Sequence, residues 1–279
     1  MGGFDLKNRV MSGVVLVLFL AAIVVFNVRF PPALNLAVAL ISVLAINELI
    51  QALGIAKQYV LVVPSLLFAA VLFFVPVGLG TQTAYYVYTV VMFAVLIAFN
   101  GTISFHHLIV LYSMTLMIPT MLGTILGLRE FDDRHGMFYV IIAIFSAWIS
   151  DTGAFAAGSL WGRHKLCPKI SPKKTVEGVI GGLVLNVAAM LVFGYVFQVF
   201  FYAYQVNVSY LSLLLIGVGG AVMSVLGDLI FSLIKRSCHI KDFGELIPGH
   251  GGILDRFDSV IFVSPFVYLL VQVLPVVVH

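Results

Sequence analysis

The stretch from Ser232 to Ser259 carries Lys235, Arg236, Lys241, Asp242, Glu245, His250, Asp255, Arg256 and Asp258. Only 10% of the chain is charged, yet four of its 15 basic and four of its 12 acidic residues fall here. Acids and bases interleaved this densely suit phosphoryl chemistry. Carboxylates hold metal ions while Lys, Arg and backbone N–H groups surround the phosphoryl oxygens. Asp255, Asp258 and Ser259 are spaced i, i+3, i+4 and share one face of a helical turn. Two carboxylates so placed repel each other unless a cation sits near them; a capped, solvated helix start is the other reading, since acids favour helix N-termini. Just before them, Pro248-Gly249-His250-Gly251-Gly252 has little bulk, and its N–H groups could cradle an anion. A glycine-rich turn alone is more often just a turn. Arg256 either pairs locally or reaches a phosphate.

Two further acids lie inside apolar runs. Asp151 and Asp228 each sit about seven residues, roughly 10 Å, from the end of a helical run. An ionised Asp within a span costs a few kcal/mol unless it is paired or ligates something. Matching depth points to a shared cation; bonding to a neighbouring helix is the alternative. For Glu48 the structural and functional readings balance. Gly220, Ser224, Asp228, Ser232 and Arg236 recur every four residues as one stripe. Close helix packing accounts for Gly220 and Ser224, but not for Asp228. Upstream, Ser171-Pro172-Lys173-Lys174-Thr175-Val176-Glu177 opens another apolar run. Ser171 or Thr175 can cap that helix, whose N-terminus attracts phosphate. Lys173 and Lys174 are phosphate contacts or ordinary positive-inside residues.

The elements that must position these groups are membrane helices. The 279 residues are 62% hydrophobic with a mean hydropathy of +1.13, beyond the roughly 45–50% apolar content of soluble domains. Runs of about 17–26 residues that cross a core of about 30 Å are expected near 10–28, 32–52, 59–76, 84–99, 105–126, 136–157, 176–200, 209–234 and 259–277. The fold class is therefore all-α, a polytopic integral membrane protein with about nine transmembrane helices. The first run follows Lys7 and Arg9 without a clear cleavage site and reads as a retained helix. Two divisions are expected. Residues 1–135 hold about five N-terminal spans, and 136–279 form a catalytic region of about four spans with loops at 158–175 and 235–258. The net charge of +3 gives no case for nucleic acid. Cys167 and Cys238 lack metal-binding spacing and read as free thiols in a reducing compartment.

With these spans, twelve Lys and Arg fall on the side of the two polar loops and three, Arg29, Arg129 and Arg134, on the other. The bias places the loops in the cytoplasm and the C-terminus outside. Without those two loops the count is three against three, because catalytic loops are basic for their own reasons.

The run S-x-x-x-K-R-x-x-x-x-K-D-x-G-x-x-x-P-G-H-G-G-x-x-D-R-x-D, Ser232 to Asp258, resembles the C-terminal signature of the phosphatidate cytidylyltransferase (CDP-diacylglycerol synthase) family. A second similar block runs from Ser150-Asp151-Thr152-Gly153-Ala154 through Ser171–Gly178, and the N-terminal half resembles the family only in its pattern of spans. The resemblance implies transfer of the cytidylyl group of CTP to phosphatidate, giving CDP-diacylglycerol and pyrophosphate for phospholipid synthesis, with Mg²⁺ required and a second cation plausible beside four acids. Asp228 and Asp255 are the first metal candidates, Asp151 and Asp258 the second. Lys173, Lys174, Lys235, Arg236 and Lys241 are candidate phosphate contacts, and Asp242 belongs to the same signature. Ser171, Thr175, Gly249, His250, Gly251, Gly252 and Arg256 are candidates for binding the nucleotide. The implied partners are CTP, phosphatidate and the lipid bilayer, at the inner (plasma) membrane with the site facing the cytoplasm. A related CTP-dependent transferase acting on another lipid phosphate or a polyprenol is the nearest alternative, and an ion-coupled transporter is the alternative of another class. Gly178-x-x-x-Gly182 permits close helix contact, within one subunit or in a homodimer.

Overall fold

In lipid every backbone polar group must find its partner within the chain, so long apolar runs become helices. The computed structural model describes residue 30 and residues 32–201, 205–245 and 251–278. Its helices are α1 (Pro32–Ala52), α2 (Tyr59–Val71), α3 (Leu79–Ala98), α4 (Phe105–Glu130), α5 (Gly136–Trp161), α6 (Val176–Val196), α7 (Tyr210–Ser237) and α8 (Leu254–Val273). A π-turn, Phe197–Phe201, extends α6. Among the described residues, all but α2 are long and apolar enough to cross a membrane, seven in total. Strands are confined to two antiparallel pairs: β1 (Lys165–Cys167) with β2 (Ser171–Thr175), and β3 (Asn207–Val208) with β4 (Val277–Val278). The expected helix over 10–28 lies outside the described residues.

The run expected to span 59–76 does not do so as one helix. α2 stops at Val71 after 13 residues, about 20 Å, short of the roughly 30 Å core. The residue before Pro76 is pushed away from helical geometry. The Phe73 carbonyl instead accepts a hydrogen bond from the Asn35 side-chain amide at 2.7 Å. At the other end of the chain, α8 begins at Leu254, five residues before the apolar run. Polar Asp255 and Arg256 are thus helical.

The chain forms two compact units that interleave in sequence. One comprises the residues up to Gly123 together with Ser237–Arg256; the other comprises Thr124–Arg236 and Phe257–His279. In the first, α1 packs on α2 and α2 on α3. Phe68 stacks on Tyr88 with ring centroids 4.6 Å apart, and Ser65 Oγ and Tyr88 OH share a hydrogen bond of 3.0 Å. The hydroxyls therefore stay satisfied within an apolar layer.

In the second unit, small residues draw four helices together. A Cβ on Gly182 would lie 2.7 Å from the Ser150 carbonyl oxygen, and one on Gly178 would lie 2.8 Å from that of Ala154. The Gly178/Gly182 pair thus joins α6 to α5 within one chain. One turn further along the same face of α6, Asn186 donates to Ser146 Oγ and to the Gly217 carbonyl, each at 2.9 Å, tying α6 to α5 and α7. A Cβ on Gly227 would meet the Asp258 carbonyl at 2.6 Å, so α7 runs against α8 at the level of the acids. Far from these acids, β3 pairs with β4, and Tyr139 OH accepts the Val277 N–H at 3.0 Å. Between α4 and α5, Asp132 Oδ1 accepts the N–H groups of Arg134 and His135 while Oδ2 faces His135 Nδ1 at 3.0 Å.

Candidate active site

The second unit gathers three carboxylates from three helices. Asp151 lies ten residues from the end of α5 and Asp228 nine from the end of α7, nearly equal distances along their helices. Asp151 is fixed by two hydroxyls: Ser224 Oγ donates to Oδ1 at 2.6 Å and Ser259 Oγ to Oδ2 at 2.8 Å. Asp258, one turn into α8, is only 6% exposed, and its Oδ1 accepts the Ser259 N–H at 2.7 Å. The charges acting on it are the carboxylates of Asp228 and Asp151 and the ammonium of Lys235. Lys235 is itself buried near the end of α7. These acids therefore form one electrostatic cluster inside helices that are otherwise apolar.

The hairpin adds a second cation. Glu177, in the first turn of α6, accepts the backbone N–H groups of Arg163 and His164 and the His164 ring nitrogen, the last at 2.6 Å. That closes the hairpin against the helix it precedes. Thr175 is the N-cap of α6; its Oγ1 accepts the Gly178 N–H at 3.1 Å, as the sequence predicts for a Thr at this position. The two lysines of β2 have different surroundings: Lys173 is exposed, whereas Lys174 is half-buried and pairs with Asp228 Oδ2. Ser171 is half-buried at the start of the same strand.

In the first unit, two other carboxylates accept backbone N–H groups of residues 243 and 252–254. Asp255 Oδ2 accepts the N–H groups of Phe243 at 2.8 Å and Gly252 at 3.0 Å. Glu48, 8% exposed on α1, accepts Ile253 N–H on Oε1 and Leu254 N–H on Oε2, both at 2.8 Å. The Gly252 N–H, which the sequence offers to an anion, is thus donated to Asp255. Gly251 has φ +84°, the left-handed conformation that favours glycine. Lys241 and Asp242 are exposed, and so, in the second unit, is Arg236; Arg256 is half-buried. Gly249 and His250 lie outside the described residues. Cys167 and Cys238 are free thiols; burial pushes the Cys238 thiol up, away from the thiolate a nucleophile needs.

Asp151, Asp228 and Asp258 thus come together with Lys174 and Lys235, and Asp255 belongs to the other unit. Among the described residues, no group of three or more His, Cys, Asp or Glu is arranged as a ready metal cage. Sequence reasoning missed three groups. Ser224 does more than pack: its hydroxyl holds an acid on a different helix. Ser259 holds the opposite oxygen of the same acid. Glu48 holds the start of α8. The four-residue stripe marks Ser224 but cannot show that its partner lies 73 residues away.

Residues 7–274 match the Cytidylyltransferase family. The chain is 46% identical over 138 residues to the phosphatidate cytidylyltransferase of Bacillus subtilis, covering 50% of this chain and 49% of that protein. It is 45% identical over 140 residues to the protein of that name from Staphylococcus saprophyticus, covering 50% and 51%. For the one from Staphylococcus haemolyticus the identity is 44% over 135 residues, covering 48% and 49%. The chain thus spans about half the length of the curated relatives it matches.

Proposed function

The chain belongs to the Cytidylyltransferase family, and from that premise we propose that it transfers the cytidylyl group of CTP to phosphatidate, releasing pyrophosphate and leaving CDP-diacylglycerol in the bilayer. The observation that carries this reading is the cluster of Asp151, Asp228 and Asp258 with Lys174 and Lys235, set among apolar helices where charge without a task is costly. The relatives' name supplies the acceptor lipid.

In the reaction, a phosphatidate phosphate oxygen forms a bond to the α-phosphorus of CTP, and the bond to the β-phosphate oxygen breaks. Both reactants are anionic, so cationic groups must reduce their repulsion before the atoms meet. Lys174 and Lys235 supply fixed positive charge, and Lys174 is held in place by the hairpin that Glu177 and Thr175 tie to α6. The exposed Lys173, Arg236 and Lys241 attract the phosphates as they arrive. No general base is required, since phosphatidate is already ionised at neutral pH.

The donor set fits Mg²⁺. Ionised, the three carboxylates outnumber the two ammonium groups by one charge, and all the ligands are hard oxygens. Mg²⁺ is usually bound by one or two carboxylates plus substrate phosphates, not by an all-protein cage. Asp228 and Asp258 would hold it, with Asp151 oriented behind them by Ser224 and Ser259. Bound there, the ion would neutralise charge on the departing pyrophosphate. Asp255 keeps a separate task, accepting the N–H groups of Phe243 and Gly252. The cluster lies on the side that the charge count assigns to the cytoplasm of a plasma membrane.

Radiolabelled CTP offered with a panel of lipid acceptors tests the proposal. Labelled CDP-diacylglycerol should form with phosphatidate and require Mg²⁺. Labelling of a polyprenol or of another lipid phosphate in preference to phosphatidate would overturn it.

A further inference from the structure

α8 begins at Leu254, and its start is met by a side chain from a distant part of the chain. The first N–H groups of a helix have no intrahelical partner. Here those of Ile253 and Leu254 are both taken by Glu48, a residue some 200 positions earlier in the chain. The contact is tight. A Cβ on Gly252 would lie 2.4 Å from Glu48 Oε2, and one on Gly244 would lie 2.9 Å from Oε1. Two glycines of the polar segment therefore leave space for one carboxylate. Asp255 completes the arrangement by accepting Phe243 and Gly252, so four N–H groups of the segment converge on two acids. A negative charge at a helix N-terminus is favoured by the helix dipole. An apolar helix that carries a glutamate here is thus carrying a cap for another helix.

We infer that Glu48 is a positioning residue: through the N–H groups of Ile253 and Leu254 it holds residues 252–254 and Asp255 in the arrangement that cytidylyl transfer requires. The inference rests on the proposed transferase reading for its activity arm and is independent of it for its structural arm. It gives the N-terminal helices a part in the reaction although Glu48 touches no reacting group. It also assigns Gly252 a reason for being glycine other than close approach to a phosphate.

The experiment uses the full chain in detergent, as wild type, Glu48→Gln and Gly252→Ala. Gln keeps the length of Glu but turns one acceptor oxygen into a donor facing an N–H group; Ala at 252 pushes on the same carboxylate from the other side. Hydrogen exchange of the amides at 252–254, read without substrate, should quicken by about tenfold in Glu48→Gln. The kcat for cytidylyl transfer should fall by about 10–100-fold, the range for lost orienting partners, with KM for CTP changed by less than about threefold. Glu48→Gln combined with Gly252→Ala should cost less than the two effects multiplied, because both act through one contact. Unchanged exchange at 252–254 in Glu48→Gln overturns the inference, as does quickened exchange with kcat unaltered. If Glu48→Gln fails to fold, Gly252→Ala is read in the same way. Should wild type transfer no cytidylyl group to phosphatidate, the functional proposal fails while the exchange arm still decides whether Glu48 holds residues 252–254.

Discussion

Lys173 and Lys174 look alike in sequence, and their different surroundings predict that they act differently. Lys174 pairs with Asp228, with side chains 20% and 27% exposed respectively. Exposed pairs contribute under about 1 kcal/mol, and breaking a fully buried pair costs about 3–5 kcal/mol. Removing one partner of this half-buried pair should therefore cost about 2 kcal/mol. Lys174→Met keeps the length of the side chain and deletes the charge. For a chain of this size that loss lowers Tm by about 4–8 °C. Activity should fall further than stability, by about 100-fold, a figure typical of removing one fixed donor that stabilises charge in a transition state. Lys173→Met, on the exposed face of β2, should leave Tm unchanged and lower kcat/KM by less than about fivefold. The assay is transfer from radiolabelled CTP to phosphatidate in mixed micelles, alongside thermal unfolding in the same detergent. A double-mutant cycle with Asp228→Asn isolates the pair and should give a coupling of about 1–2 kcal/mol in stability. Equal activity losses in Lys173→Met and Lys174→Met, or additivity of Lys174→Met with Asp228→Asn, would refute the argument from the Lys174–Asp228 pair.

Other expectations follow from the same geometry. Asp228→Asn and Asp258→Asn should each lower turnover by orders of magnitude and raise the Mg²⁺ concentration for half-maximal rate; near-wild-type turnover with an unchanged Mg²⁺ requirement removes that residue from the metal site. At Asp132, burial raises the carboxyl pKa, but hydrogen bonds from His135 and from the N–H groups of Arg134 and His135 outweigh it and hold the group below its usual range. A lowered folded-state pKa contributes stability that is present above the unfolded value and lost as pH falls through the folded value, so Asp132→Asn should lower Tm at pH 7 and match wild type once the acid is protonated. Single-cysteine labelling from outside intact cells, in a background lacking Cys167 and Cys238, should miss position 165 on β1; ready labelling there contradicts a cytoplasmic site.

What the sequence made legible was set by period and by solvent. Runs such as 32–52 and 209–234 need internal backbone pairing in lipid, and they reappear as α1 and α7 within a few residues. The ends were harder. α8 starts five residues ahead of its apolar run because its first N–H groups are satisfied by Glu48, from a helix that local sequence cannot point to. α2 ends early because the chain turns at 72–75 before Pro76, and Asn35 takes up a freed carbonyl. Helical spacing put Ser224 and Asp228 on one stripe correctly, yet spacing within a helix says nothing about which neighbour a side chain meets.

That limit separates the acids into two kinds that look the same in sequence. The oxygens of Glu48 and Asp255 accept backbone N–H groups. Asp228 instead faces an ammonium group, and Asp258, which among the described residues accepts only the backbone N–H of its own neighbour Ser259, also feels two other carboxylates and a second ammonium. A carboxylate that accepts N–H groups already has partners that cannot leave without unmaking the local fold, so its replacement should first loosen the segment it holds. A carboxylate opposed by mobile side-chain charges can exchange those partners for a cation and a phosphate with the backbone unchanged. On the proposed reading, chemistry belongs with Asp228 and Asp258, while Glu48 and Asp255 hold the amides of residues 243 and 252–254. On this argument Asp255→Asn should differ from Asp228→Asn in kind: the first should quicken amide exchange at Phe243 and Gly252, and the second should leave those amides unaltered while turnover falls.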